Sequence, residues 1–182
     1  MLAAAFPSGR RTSVRVVSDS TWKGALAELK ITTRAIELGI PVLKPVIEGL
    51  RYDLVFDVGP QLLRVQCKWA SRKKRVLVVY TRSSRHTPRG YVRSTYSAGE
   101  VDAIAAYSPD TGRCYLMPIA DVAGRFVVHL RLEPTANNQQ VAIKYAAQYE
   151  LGAIAQLGER RAGSAKAEGS SPSSSTSEGP FS

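Results

Sequence analysis

Apolar residues recur at helical spacing early in the chain and in short strand-like runs after it. Between residues 23 and 38, Leu26, Leu29, Ala35, Ile36 and Leu38 follow a helical repeat. Asp19, Ser20 and Thr21 offer capping side chains before it, and Gly39 stands in the position where helices end. Residues 40–46 read as a strand interrupted by Pro41 and Pro45, which confines it to an edge or an entry position. Residues 52–58, 62–70 and 76–81 follow as strands, the first two joined at a Gly59-Pro60 turn. Residues 82–95 are polar and basic and are expected to form a loop. Residues 101–107 are apolar, and Ser108-Pro109-Asp110-Thr111-Gly112 marks a turn. Two more strands are expected at 114–118 and 126–132, with a short helix near Ala120. A helix followed by a run of strands indicates the α/β or α+β class.

The pattern divides the chain into three parts. Residues 1–18 read as a loose basic extension carrying Arg10, Arg11 and Arg15, and residues 19–150 as the folded domain. Residues 151–182 read as a tail. From residue 163 onward it is mostly Ser, Gly, Ala, Glu and Pro, a composition that buries no core and predicts disorder. Residues 154–160 and 169–172 can be encoded by nucleotides resembling the D-arm and T-arm of a bacterial tRNA. This predicts a reading frame that runs through a tRNA gene.

At 182 residues with 44% hydrophobic content, the chain can bury one real core. Cys67 and Cys114 are too few for a disulfide framework and too far apart for a zinc motif. They are expected to be core residues of a reduced, cytoplasmic protein. The apolar start, residues 1–7, has no basic segment before it and makes a poor signal peptide, and no apolar run is long enough to span a membrane.

Charge changes the picture more. The net charge is +10, which points to a polyanionic partner. Between Val58 and Gly99 there is no acidic residue, while Arg64, Lys68, Arg72, Lys73, Lys74, Arg75, Arg82, Arg85, Arg89 and Arg93 all fall there. Taken alone, Arg72-Lys73-Lys74-Arg75 would be an exposed turn. Concentrated in one stretch, the charge is better explained by a polyanionic backbone than by general solubility. Tyr91 and Tyr96, interleaved with Arg89 and Arg93, are placed to reach a groove or pack on sugars.

The candidate chemistry lies at the start of that stretch. Asp53 begins one strand, and Gln66 and Lys68, two apart on the next, share a face. A hairpin connection would bring that face beside Asp53. A carboxylate with a strand-borne oxygen ligand suits Mg²⁺, and an adjacent lysine can orient the attacking water and stabilise the charge that develops. Glu28, on the preceding helix, adds a second carboxylate. Singly, each of these residues is more often structural than catalytic. Their joint order and spacing favour phosphodiester hydrolysis.

This order, Glu28 on a helix, Asp53 at a strand start and Gln66-Cys67-Lys68 on the next strand, resembles the PD-(D/E)XK nuclease superfamily. Residues 24–29 (GALAEL), 51–55 (RYDLV) and 65–68 (VQCK) are similar to its group I intron-associated, homing-type branch, as are residues 99–102 (GEVD) with Tyr107 and 115–119 (YLMPI). The resemblance covers roughly residues 21–132. It implies a restriction-endonuclease-like core with a central mixed sheet flanked by helices. It also implies a Mg²⁺-dependent endonuclease acting on double-stranded DNA, with the metal held by Asp53, Gln66 and Glu28 and with Lys68 as the catalytic lysine. Gln66 stands where the superfamily usually has an acidic residue. Glutamine occurs there in the intron-associated branch, and Asp57 is an alternative carboxylate. Cutting two strands with one site per chain suggests a homo-oligomer. The competing expectations are a junction resolvase or restriction-like nuclease with the same core, and a catalytically inactive DNA-binding module.

Overall fold

The computed structural model describes residues 18–88, 90–134 and 143–153. Residues 1–17 of the basic extension and nearly all of the tail, Arg10, Arg11, Arg15 and the segments read as tRNA-encoded included, lie outside the described residues.

Helix α1 spans Asp19–Glu37 and starts four residues earlier than the apolar spacing predicts. Its cap is Ser18, whose side chain accepts from the Thr21 amide, rather than a side chain of residues 19–21. Gly39 takes the left-handed conformation beyond the end, with φ 75°. The buried face also differs from the expected one. Ala27, Ile31 and Ala35 are buried one helical turn apart, whereas Leu29 and Ile36 are more than 60% exposed. Small alanines let the helix axis lie close to the sheet, so the leucine and isoleucine are turned outward.

Among the described residues nine strands follow: β1 Val42–Leu43, β2 Leu54–Val58, β3 Gln61–Lys73, β4 Val76–Tyr80, β5 Ser83–Thr87, β6 Gly90–Ser94, β7 Ala103–Ser108, β8 Arg113–Pro118 and β9 Val127–Arg131. A short helix α2, Ile119–Val122, and a single 3₁₀ turn, Ala146–Tyr149, complete the described elements. β1 is only two residues long and lies at the sheet edge, as its flanking prolines require. Asp53 sits just before β2, and its amide donates to the Val65 carbonyl. β2 and β3 pair antiparallel around Gly59-Pro60. Gly59 has φ 64°, and proline cannot follow it into positive φ, so the turn has glycine at its first central position, as in a type II′ hairpin.

β3 organises the molecule. It pairs with β2 over residues 61–65, in parallel with β7 over 65–69, and with β4 over 70–73. Seven strands form this mixed sheet, while β5 and β6 pair separately as a two-stranded hairpin, where a loop is expected from the sequence. This hairpin has little apolar alternation to announce it.

The sheet is buried on both faces. Beneath α1 lie Leu54, Phe56, Val65, Cys67, Ala103, Ala105, Cys114 and Leu116. Leu151 joins this cluster at 1% exposure, so the packed domain includes the first residues after 150. The opposite face holds Ala70, Ile104, Ala106, Tyr115 and Met117 with Leu77, Val79, Val128 and Leu130, covered by Tyr96, Val101 and Ile119. Each large buried side chain contributes about 1.5–3 kcal/mol. Both cysteines are free and buried, as expected. No described helix is long and apolar enough to cross a membrane. The mixed sheet with its packed helix is the α+β, restriction-endonuclease-like arrangement.

Candidate active site

Alternation along β3 turns Val65 and Cys67 toward α1 and leaves Gln66 and Lys68 on the other side of the strand. The hairpin then brings Asp53 alongside. Its Oδ2 accepts from the Cys67 amide at 2.8 Å and from the Gln66 side-chain amide. The Gln66 NH₂ also reaches the Cys67 carbonyl. With both contacts made by the nitrogen, Oε1 of Gln66 has no hydrogen-bond partner among the described residues. Burial is the main cause that lifts the Asp53 carboxyl above the usual aspartate range. The Cys67 amide and the Lys68 charge pull it down, and the negative charge of Glu28 pushes it up.

Glu28, on α1, lines the same cleft as Asp53, a space of about 260 Å³ bounded also by the 44–52 segment. It is ion-paired with Lys44, and the hydrogen bond and charge of Glu28 raise the lysine's pKa. Two carboxylates close enough for one to raise the pKa of the other supply hard oxygen donors, and the Gln66 side chain that donates to Asp53 carries an amide oxygen as well. Among the described residues there is no cluster of three or more His, Cys, Asp or Glu arranged as a metal cage. The donors fit a hard divalent cation that binds through one or two carboxylates and keeps water and phosphate as its other ligands. Asp57, the alternative carboxylate, sits further along β2 opposite Leu62, away from this cleft.

Lys68 is half-buried and donates to the Tyr96 hydroxyl at 3.0 Å. Arg51 stacks its guanidinium 4.5 Å from the Tyr96 ring centre and pairs with Glu100 at 2.8 Å. The sequence does not mark Lys44 or Arg51, and Tyr96, expected to reach a groove or pack on sugars, is only 5% exposed. Arg51, Glu100 and Asp102 all fall in segments that carry the family resemblance, the only signal that could have marked them.

The basic stretch divides. Arg64 is bound to Asp102 and to the carbonyls of Ala98 and Gly99. Arg72 and Lys73 end β3 and Lys74 and Arg75 turn into β4, all four exposed beyond the Lys68 segment. Lys74 has a positive φ, and Arg72 Nε donates to its carbonyl. Arg82 lies over the Tyr80 ring at 5.1 Å, and Arg93 is exposed on β6 opposite Ser84. Arg89 lies outside the described residues, as do the side chains of Arg85 and Tyr91.

The chain matches the family model for the PD-(D/E)XK endonuclease over residues 18–152. It is similar to the solved structure of a bacterial homing endonuclease, I-Ssp6803I, at 31% identity, with a TM-score of 0.61 over 80% of this chain and 97% of that one. No curated protein matches it. Members of this family are DNA-cutting hydrolases that use divalent metal ions. The hairpin that sets Asp53 against Gln66 and Lys68, the mixed sheet built on β3 and the match over residues 18–152 give one conclusion: the chain belongs to the PD-(D/E)XK endonuclease family.

Proposed function

We propose that this endonuclease is a homing enzyme associated with a group I intron, which cuts both strands of DNA at a site resembling its own insertion locus. The catalytic domain spans residues 19–150 and the few residues packed behind it, and the extension and tail take no part in the chemistry. The enzyme works in the cytoplasm as a homo-oligomer, because each chain offers one site and two strands must be cut. The observation that carries the assignment is the meeting of Asp53, Gln66 and Lys68 within one hairpin, with Glu28 on the same cleft.

Asp53, Glu28 and the free oxygen of Gln66 would hold Mg²⁺, which when bound polarises the phosphoryl group and acidifies a water. Asp53 is kept in place by the Cys67 amide, so its carboxylate is aimed before DNA arrives. Lys68 presents its ammonium where negative charge grows on the phosphate oxygens, the kind of stabilisation that usually contributes most to such a reaction. The exposed turn Arg72–Arg75, with Arg82, Arg85, Arg89, Tyr91 and Arg93, grips the backbone on either side.

The test is cleavage of a long duplex carrying the uninterrupted locus, set against a four-way junction of equal length. Double-strand cutting of the duplex with Mg²⁺, and none with Ca²⁺, is the expected result. Preference for the junction would mean a resolvase. Tight binding with no cutting under Mg²⁺ or Mn²⁺ would mean an inactive DNA-binding domain.

A further inference from the structure

Lys68 extends from the middle of a strand, and a free lysine side chain has much rotational freedom to lose. Here that freedom is already restricted. The Lys68 ammonium donates to the hydroxyl of Tyr96, a residue 28 positions away in the segment before β7. Tyr96 is itself buried at 5% exposure. Arg51 lies against its ring, donates to the Thr95 carbonyl at 2.9 Å, and is paired with Glu100. Glu100 is fixed in turn by the amide and hydroxyl of Ser97. Arg51 stands two residues before Asp53. One guanidinium thus ties the segment that delivers the carboxylate to the segment that holds the lysine.

We propose that Tyr96 is a positioning residue for cleavage. Its hydroxyl holds the Lys68 ammonium at the site, and the Arg51–Glu100 pair holds Tyr96. The inference rests on the assignment of Lys68 to the chemistry. A tyrosine serving only as core packing would need its ring alone, because phenylalanine fills the same volume.

Tyr96→Phe separates the two roles, since it keeps the ring beneath Arg51 and removes only the hydroxyl. The single-turnover cleavage rate with Mg²⁺ should fall by about ten- to a hundredfold, the factor for one hydrogen bond to a charged group. DNA affinity measured in Ca²⁺ and the melting temperature should stay at wild-type values. A wild-type cleavage rate, or a fall matched by weaker affinity or lower stability, would overturn the proposal. Lys68→Ala is measured alongside. If it cuts normally, the site assignment itself fails. If it is inactive while Tyr96→Phe is fully active, only the positioning role fails.

Discussion

At one end of β3, Arg64 spends its guanidinium on Asp102 and on two backbone carbonyls. At the other end, Arg72 and Lys73 close the strand and Lys74 and Arg75 form the two-residue turn to β4, all four exposed. Of these four, only Arg75 has an ion pair among the described residues, a surface contact with Glu133 worth about 0–1 kcal/mol. Both ends are basic in sequence, with one cation at the first and four at the second. Arg64 is committed to holding two strands in register, and the second group remains available to a polyanion. Lys68, between them, belongs to neither group. Its hydrogen-bond partner is a neutral hydroxyl, and it has no salt bridge among the described residues. Counting charges along a sequence treats these three situations alike, and geometry separates them.

The largest effect should come from the middle of the strand. Lys68→Ala should lower cleavage by at least about 100- to 1,000-fold while leaving the salt dependence of DNA binding intact, measured by single-turnover cleavage and by binding in Ca²⁺. Wild-type cutting by this variant would erase the distinction between Lys68 and its neighbours.

An intermediate effect is expected at the register end. Arg64 lowers the Asp102 carboxyl below the usual aspartate range through hydrogen bonds and charge. In acid the unfolded chain therefore binds this proton more readily than the folded one. The resulting stability is fully present above the ordinary aspartate pKa and is lost as pH falls through the lowered folded value. Asp102→Asn should reduce the melting temperature at neutral pH, and its gap from wild type should close in acid. A gap that stays constant down to low pH would show that the carboxylate's charge has no part in holding the strands.

The smallest effect on the folded protein should come from the exposed end. Replacing Arg72, Lys73, Lys74 and Arg75 by Ser should leave melting nearly unchanged. The slope of log affinity against log salt should drop by up to about 0.9 for each phosphate no longer neutralised, equally for target and random duplexes. An unchanged slope would make the turn a solvated feature with no role in binding.

Much of this was legible in the sequence, for identifiable reasons. Gln66 and Lys68 share a face because strands alternate, and Gly59-Pro60 announced the hairpin that sets them beside Asp53. The helix face was misread because Leu29 and Ile36 are more hydrophobic than Ala27 and Ala35, yet close packing on a sheet favours the smaller side chains. The β5–β6 hairpin escaped notice because Ser83, Ser84, Arg93 and Ser94 pair through backbone and bury little. Arg51 and Lys44 could not be found from spacing, since their partners come from distant segments.

The mixed pairing of β3 also has a consequence for the order of assembly. The Asp53–Cys67 contact closes within a local hairpin, so it is available once residue 67 has emerged. The Lys68–Tyr96 and Arg64–Asp102 contacts span 28 and 38 residues and need the crossover that lays β7 parallel to β3. Long-range parallel pairing is intrinsically slow. During refolding, the Cys67 amide should gain protection from hydrogen exchange before the Asp102 amide, as pulse labelling can time. Partly made chains would then carry a formed carboxylate without an anchored lysine, so, with Lys68 in the role proposed for it, the ability to cut DNA would arrive only with the finished fold.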